Sequence, residues 1–123
     1  MKLLKLDATE DTPFVFFDAQ NGVFEISERS LPENAIVFYE QLLIFINEYK
    51  SLPAPETKVN FHFDYLNTSS IKQIMKVILL FDQLATSTKV FVTWCYDVGD
   101  TDMFQTGQRF EKLTSLSFNY KEI

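Results

Sequence analysis

The sequence predicts a single α/β domain over residues 1–123, with element order ββαβαβαβ, a mixed β-sheet, and helices packed mainly on one face. Three observations carry this expectation. From residue 58 onward a strand, a helix and a second strand follow in turn, which requires a right-handed parallel crossover. Before residue 30 two apolar segments flank an Asn-Gly turn, the mark of an antiparallel hairpin. Thirteen Phe against only three Gly and four Pro in 123 residues point to a dense core with few long loops, and exclude intrinsic disorder.

The hairpin pairs Thr12-Pro13-Phe14-Val15-Phe16-Phe17-Asp18 with Val23-Phe24-Glu25-Ile26-Ser27-Glu28. Asn21-Gly22 between them supplies the left-handed conformations of a tight turn. Phe24 and Ile26 alternate with Glu25 and Ser27, so the second strand has one apolar face. Ser30-Leu31-Pro32-Glu33 then matches a capping box, with the Ser30 hydroxyl accepting from the Glu33 amide and the Glu33 carboxylate reaching back. Pro32 in a first turn loses no intrahelical bond. The helix is expected to run to about Lys50 and to be mostly buried. Polar residues at 33/34, 40/41 and 47/48 mark one solvated stripe, and Leu31, Ala35, Phe38, Leu42, Phe45 and Tyr49 face inward with Ile36, Leu43 and Ile46.

Residues 51–57, carrying Pro53 and Pro55, form a connector. Lys58 to Tyr65 alternates as a strand, with Val59, Phe61, Phe63 and Tyr65 on one face. Leu66-Asn67-Thr68-Ser69-Ser70 holds residues that begin helices. Ile71, Ile74, Met75, Ile78, Phe81 and Ala85 follow at helical spacing. Lys89 to Tyr96 is rich in β-branched and aromatic residues and reads as a strand. An acidic turn, Asp97 to Asp102, leads to a third helix with Met103, Phe104, Phe110 and Leu113, and Leu116 to Tyr120 closes as a short strand.

The formal charge of −6 argues against a nucleic-acid partner, which needs a basic face, and against an anionic membrane surface. The longest apolar run, Val77 to Phe81, is far too short to span a bilayer, and the first residues lack a signal-peptide core. One cysteine, Cys95, excludes an internal disulfide. A cytoplasmic location follows as the expectation. The fold should form on apolar burial alone, without metal, cofactor or disulfide.

Few residues suggest chemistry. His62, the one histidine, shares a strand face with Asn60 and Asp64, and a His–Asp pair at that spacing could orient a base for a small-molecule-binding or enzymatic site. A polar sheet face explains the same pattern. There is no G-x-S-x-G, no H-E-x-x-H and no glycine-rich phosphate loop. Asp97, Asp100 and Asp102 lack the spacing of a calcium loop, and Trp94 and Cys95 on a strand suggest core packing. No metal site and no cofactor are expected.

Asn67-Thr68-Ser69-Ser70 stands apart. It lies where a strand ends and a helix begins, where free amides and the positive dipole end favour an anion. No acid occupies that first turn, and Lys72 adds a cation one turn on. A plain helix cap and an acceptor of phosphate both fit these residues.

The element order resembles that of STAS domains, the fold of bacterial anti-sigma factor antagonists, which carry a phosphorylatable Ser or Thr where a strand passes into a helix. A more specific resemblance rests on Arg29-Ser30-Leu31-Pro32-Glu33-Asn34-Ala35 with Phe38-Tyr39, and on Asp64-Tyr65-Leu66-Asn67-Thr68-Ser69-Ser70. With Thr12-Pro13, Asn21-Gly22, Trp94, Tyr96, Asp100 and Asp102-Met103, these segments resemble the SiaC-type regulatory phosphoproteins of bacteria from about Thr9 to the end. The resemblance implies a non-enzymatic switch with a STAS-like fold. A partner Ser/Thr kinase would phosphorylate Thr68, within an environment of Asn67, Ser69, Ser70 and Lys72, and a partner phosphatase would reverse it. The unphosphorylated form would bind and activate a diguanylate cyclase, raising cyclic-di-GMP and promoting biofilm or aggregation. Arg29, Glu33 and Asn34 would line the partner surface. An anti-sigma factor antagonist in a partner-switching pathway is the alternative. Glu28 stands where the family would carry glycine, Leu31 replaces an aromatic, and Val98-Gly99 thins the acidic run.

Overall fold

The computed structural model describes residues 2–123. Its elements are β1 (Leu3–Leu6), β2 (Phe14–Asp18), β3 (Val23–Ser30), α1 (Ala35–Tyr49), β4 (Glu56–Leu66), α2 (Thr68–Leu84), β5 (Lys89–Tyr96), α3 (Thr101–Lys112) and β6 (Phe118–Glu122). The strands among the described residues form one six-stranded sheet in sequence order. β1, β2 and β3 pair antiparallel, and β3 through β6 pair parallel.

The register explains why one face is covered. Phe17, Phe24, Val59, Val92 and Phe118 are successive partners across five strands, and Val15, Ile26, Phe61 and Trp94 form the next row. Both rows are buried. Parallel crossovers of one hand, with the strand order advancing steadily, place α1, α2 and α3 on that same side. The Phe24 ring lies 5.0 Å from Phe17, 4.8 Å from Tyr49 and 5.1 Å from Phe81, fastening β2, α1 and α2 onto β3. Edge-to-face aromatic pairs of this kind add about 0.5–1.5 kcal/mol each beyond their burial. Glu111 holds β6 to α3, accepting from the Tyr120 hydroxyl at 2.6 Å and the Phe118 amide at 2.7 Å.

Five expectations are corrected. β1 adds a strand to the expected order. Its four residues, Leu3-Leu4-Lys5-Leu6, are too few to show a period, and only the pairing with β2 orders them. Ser30 does not cap α1. It ends β3 and is wholly buried, while Asn34 caps the helix by accepting from the Val37 amide at 3.2 Å. Two good capping residues compete here, and Ser30 is already committed to the β3–β4 ladder.

The outer side of α1 is not polar throughout. Ile36 and Val37 are each 66% exposed and Ile44 is 52% exposed, whereas Tyr39 is fully buried. Tyr65, expected on the core face, is turned outward and Leu66 takes its place. A register shift causes this: Glu28 pairs with Phe63 and Arg29 with Tyr65, leaving Asp64 as an extra residue that displaces the alternation by one. In the third helix segment, Leu113 lies past the last turn and is exposed.

Glu28 adopts a φ of +77° at this irregularity. Left-handed backbone costs an L-residue about 1–2 kcal/mol and costs glycine little. Glu28→Gly is therefore expected to stabilise the protein by about 1 kcal/mol, read as a higher midpoint in denaturant unfolding. A lower midpoint would show that the Glu28 side chain contributes more than the strain costs.

Candidate functional site

Where β3 and β4 end side by side, α1 and α2 begin. The Asn67 amide donates to the Ser30 carbonyl at 3.1 Å, continuing the parallel ladder to the brink of α2. Asn67 then leaves the strand with extended backbone and caps α2, its Oδ1 accepting from the Ser70 amide at 2.9 Å and the Ser69 hydroxyl at 3.2 Å. Asn67 thus takes the capping role, and Thr68 becomes the first helical residue. Thr68, Ser69 and Lys72 are exposed. The first turn of α2 contains no acid, so the positive end of this 17-residue helix faces outward uncompensated by a carboxylate of its own.

Ser70 points the other way. It is wholly buried, and its hydroxyl oxygen accepts from Ser30 at 2.8 Å, while the oxygens of Ser30 and the Tyr39 phenol lie 2.6 Å apart. These three hydroxyls join the end of β3, the second turn of α1 and the start of α2. Burial pushes the Tyr39 phenol up to about 12, opposed by its hydrogen bonds with Ser30 and Ser70. Removing one member strands the others, which costs about 1–3 kcal/mol for buried groups. Ser30→Ala should accordingly lower the unfolding free energy by about 2 kcal/mol, with the helix content retained. A loss below about 0.5 kcal/mol in denaturant titration would show that the remaining pair satisfies itself.

Arg29 pairs in register with Tyr65, next to the start of α2, and is exposed. Glu33 and Asn34 are exposed at the head of α1. Parallel neighbouring strands bring these residues to the same end of the sheet as Thr68, the end where open α/β sheets usually place their sites. Sequence reasoning missed Ile36 and Val37, which add apolar surface there. Positions 36 and 37 lie between the polar pairs 33/34 and 40/41 on the same helical stripe, so the signal was present in the spacing.

Of the residues weighed for chemistry, His62, Asp64 and Asp97 come together, whereas Asp100 and Asp102 belong to the start of α3. His62 Nε2 and Asp97 Oδ1 are 2.9 Å apart, both side chains partly exposed. Asp64 joins them, so that one ligand atom from each of the three lies within 4.8 Å of the others. Asp100 caps α3 by accepting from the Met103 amide at 3.0 Å, and Asp102 lies in that helix's first turn. The run Asp97, Asp100 and Asp102 is thus divided among three tasks. His62 lines an open depression of about 410 Å3 on the bare sheet face with Glu25, Asn60 and Thr93. Asp64 lines another, of about 270 Å3, with Tyr65, Asp100 and Met103. Neither depression holds both His62 and Asp64. Trp94 is buried as expected, its indole N–H donating to the Met103 carbonyl at 2.9 Å. Cys95 instead lies half-buried on the bare face, where burial pushes its thiol up against the lowering effect of Lys121. No helix of the described residues is long and apolar enough to cross a membrane.

Known proteins resemble this chain along its whole length. An uncharacterized protein of Pseudomonas aeruginosa is 25% identical over 119 residues, covering 96% of this chain and 94% of that protein. Apo-SiaC from Pseudomonas aeruginosa has the same fold, with a TM-score of 0.89 at 24% identity over 98% of this chain and 99% of that one. So does the SiaC solved in complex with the diguanylate cyclase SiaD, described there as its activator, with a TM-score of 0.90 at 24% identity over the same shares of the two chains. Residues 6–123 match the profile of the SiaC family regulatory phosphoproteins, and the chain belongs to that family.

Proposed function

We propose that this protein is a non-enzymatic switch gated by phosphorylation of Thr68, written by a Ser/Thr kinase and erased by a phosphatase, and that its unphosphorylated form binds and activates a diguanylate cyclase. The observation that carries this reading is the position of Thr68: exposed, first in α2, and relieved of capping by Asn67. A phosphate there breaks no cap and meets the positive end of a helix without an acid in its first turn. Ser69 is the neighbouring accessible hydroxyl, whereas Ser70 is buried in the hydroxyl cluster and out of a kinase's reach. Membership of a regulatory phosphoprotein family supports the modification, and the complex known for the Pseudomonas SiaC supports the class of effector.

Arg29, Glu33 and Asn34, with the exposed Ile36 and Val37, supply a mixed polar and apolar rim beside Thr68 of the kind that protein partners cover. His62 and Asp64 are close to each other, but neither depression is lined by both, which argues against a catalytic cleft. The test is incubation with ATP and a candidate Ser/Thr kinase from the same organism, followed by intact mass, site mapping and affinity for a diguanylate cyclase from that organism. One phosphate on Thr68 and weaker cyclase binding are expected. Labelling that persists in Thr68→Ala would move the site to Ser69. Equal affinity of the two forms for the cyclase would end the proposal.

A further inference from the structure

We infer that His62, Asp64 and Asp97 form a binding site for a divalent transition cation such as zinc or manganese. The inference is independent of the phosphorylation of Thr68. His62 pairs with Cys95, so continuing the parallel register two residues further sets Asp97 across from Asp64 at the ends of β4 and β5. Two carboxylates facing each other across a ladder repel. His62 contacts Asp97 alone, whereas a cation held between the strands neutralises both carboxylates at once. The extra residue in β4 is Asp64 itself, and bulges re-aim side chains in this way.

The donor set is one imidazole nitrogen and two carboxylate oxygens. That combination suits zinc or manganese, while calcium and magnesium prefer oxygen alone. Three protein ligands leave a coordination position open to water or to an incoming anionic group. Donors about 2.1 Å from a shared ion can be at most about 4.2 Å apart, against the present limit of 4.8 Å. The gap is well under one side-chain rotation, and Asp64 is exposed and free to turn. His62 and Asp97 are already in contact, so ion entry requires the imidazole to exchange one carboxylate hydrogen bond for a metal bond. A three-ligand site of this kind needs no cleft.

Titration of the full chain with zinc chloride and with manganese chloride, followed by calorimetry and by thermal unfolding, tests the inference. Saturable binding of one ion with a rise in melting temperature is expected. His62→Ala and Asp97→Asn should each weaken that binding at least about tenfold. Cys95→Ser and Asp102→Asn, which alter a nearby soft ligand and a nearby charge, should leave the affinity unchanged. All four side chains lie at least partly on the surface, and circular dichroism of each variant confirms the fold. Absence of saturable binding by the unaltered protein, or affinity that survives both His62→Ala and Asp97→Asn, would overturn the site.

Discussion

Gly22→Ala should lower the unfolding free energy by about 3 kcal/mol. Two costs add. Gly22 has a φ of +64°, which costs an L-residue about 1–2 kcal/mol. A Cβ there would also intrude on the Glu56 carbonyl and lie 2.9 Å from both the Ala54 Cβ and the Tyr49 hydroxyl. Overpacking of this kind costs about 1–3 kcal/mol. Its neighbours have little room to withdraw. The Gly22 carbonyl accepts from the Lys58 amide at 2.7 Å, and the Tyr49 hydroxyl is fixed by Thr57 at 2.7 Å and by the Ala54 amide at 3.0 Å. Thermal unfolding should show a drop on the order of 10 °C. A shift of only a degree or two would mean that the turn re-forms around the new side chain.

Thr68→Asp should weaken binding to the cyclase at least about tenfold, or about 1.4 kcal/mol, while Thr68→Ala keeps it. Stability gives the control. Thr68 is exposed at the start of a helix, where a carboxylate is favourable by about 0.3–1 kcal/mol, so the aspartate variant should melt no lower than the parent. The loss then belongs to the interface. A negative charge added to a chain already at −6 must be desolvated against the partner and repels its acidic groups. Aspartate carries one charge where phosphate carries nearly two, so the real modification should act more strongly. Unchanged affinity of Thr68→Asp together with unchanged affinity of the phosphorylated protein would place the docking face elsewhere.

The parts of this fold that were legible in the sequence are those whose pattern is local and long. The strand over 89–96 was read with both its ends, and the helix from 68 to 84 followed from five apolar residues at helical spacing after a run of capping types. The passage from β4 into α2 at Asn67 and Thr68 was legible for the same reason, since a strand end, a cap and a helix start are neighbours in the chain. What escaped depends on residues far apart. β1 has too few residues to declare a period. Tyr39 stood in sequence beside Glu40 and the polar stripe, and only Ser30 and Ser70, nine and 31 residues away, explain its burial. His62 and Asp97 are 35 positions apart, and the parallel register alone brings them together. Tyr65 was misplaced because one extra residue reverses every later side chain in a strand. The glycine expected before Arg29 carried real information. Its replacement, Glu28, holds the left-handed conformation that glycine would adopt freely.

The hydroxyl cluster of Ser30, Tyr39 and Ser70 has a bearing on kinetics. Helix ends commonly fray, and a partner that docks on a frayed end must supply the ordering entropy. Here the first turn of α2 is tied from inside the protein to β3 and α1, directly beneath Thr68. The surface offered to a partner is therefore ordered before encounter, and neither the modified nor the unmodified form has to wait for this helix end to order before docking. The phosphate would then act by charge on a surface already formed, slowing the encounter of like charges and shortening the life of the complex, with no step of local ordering between.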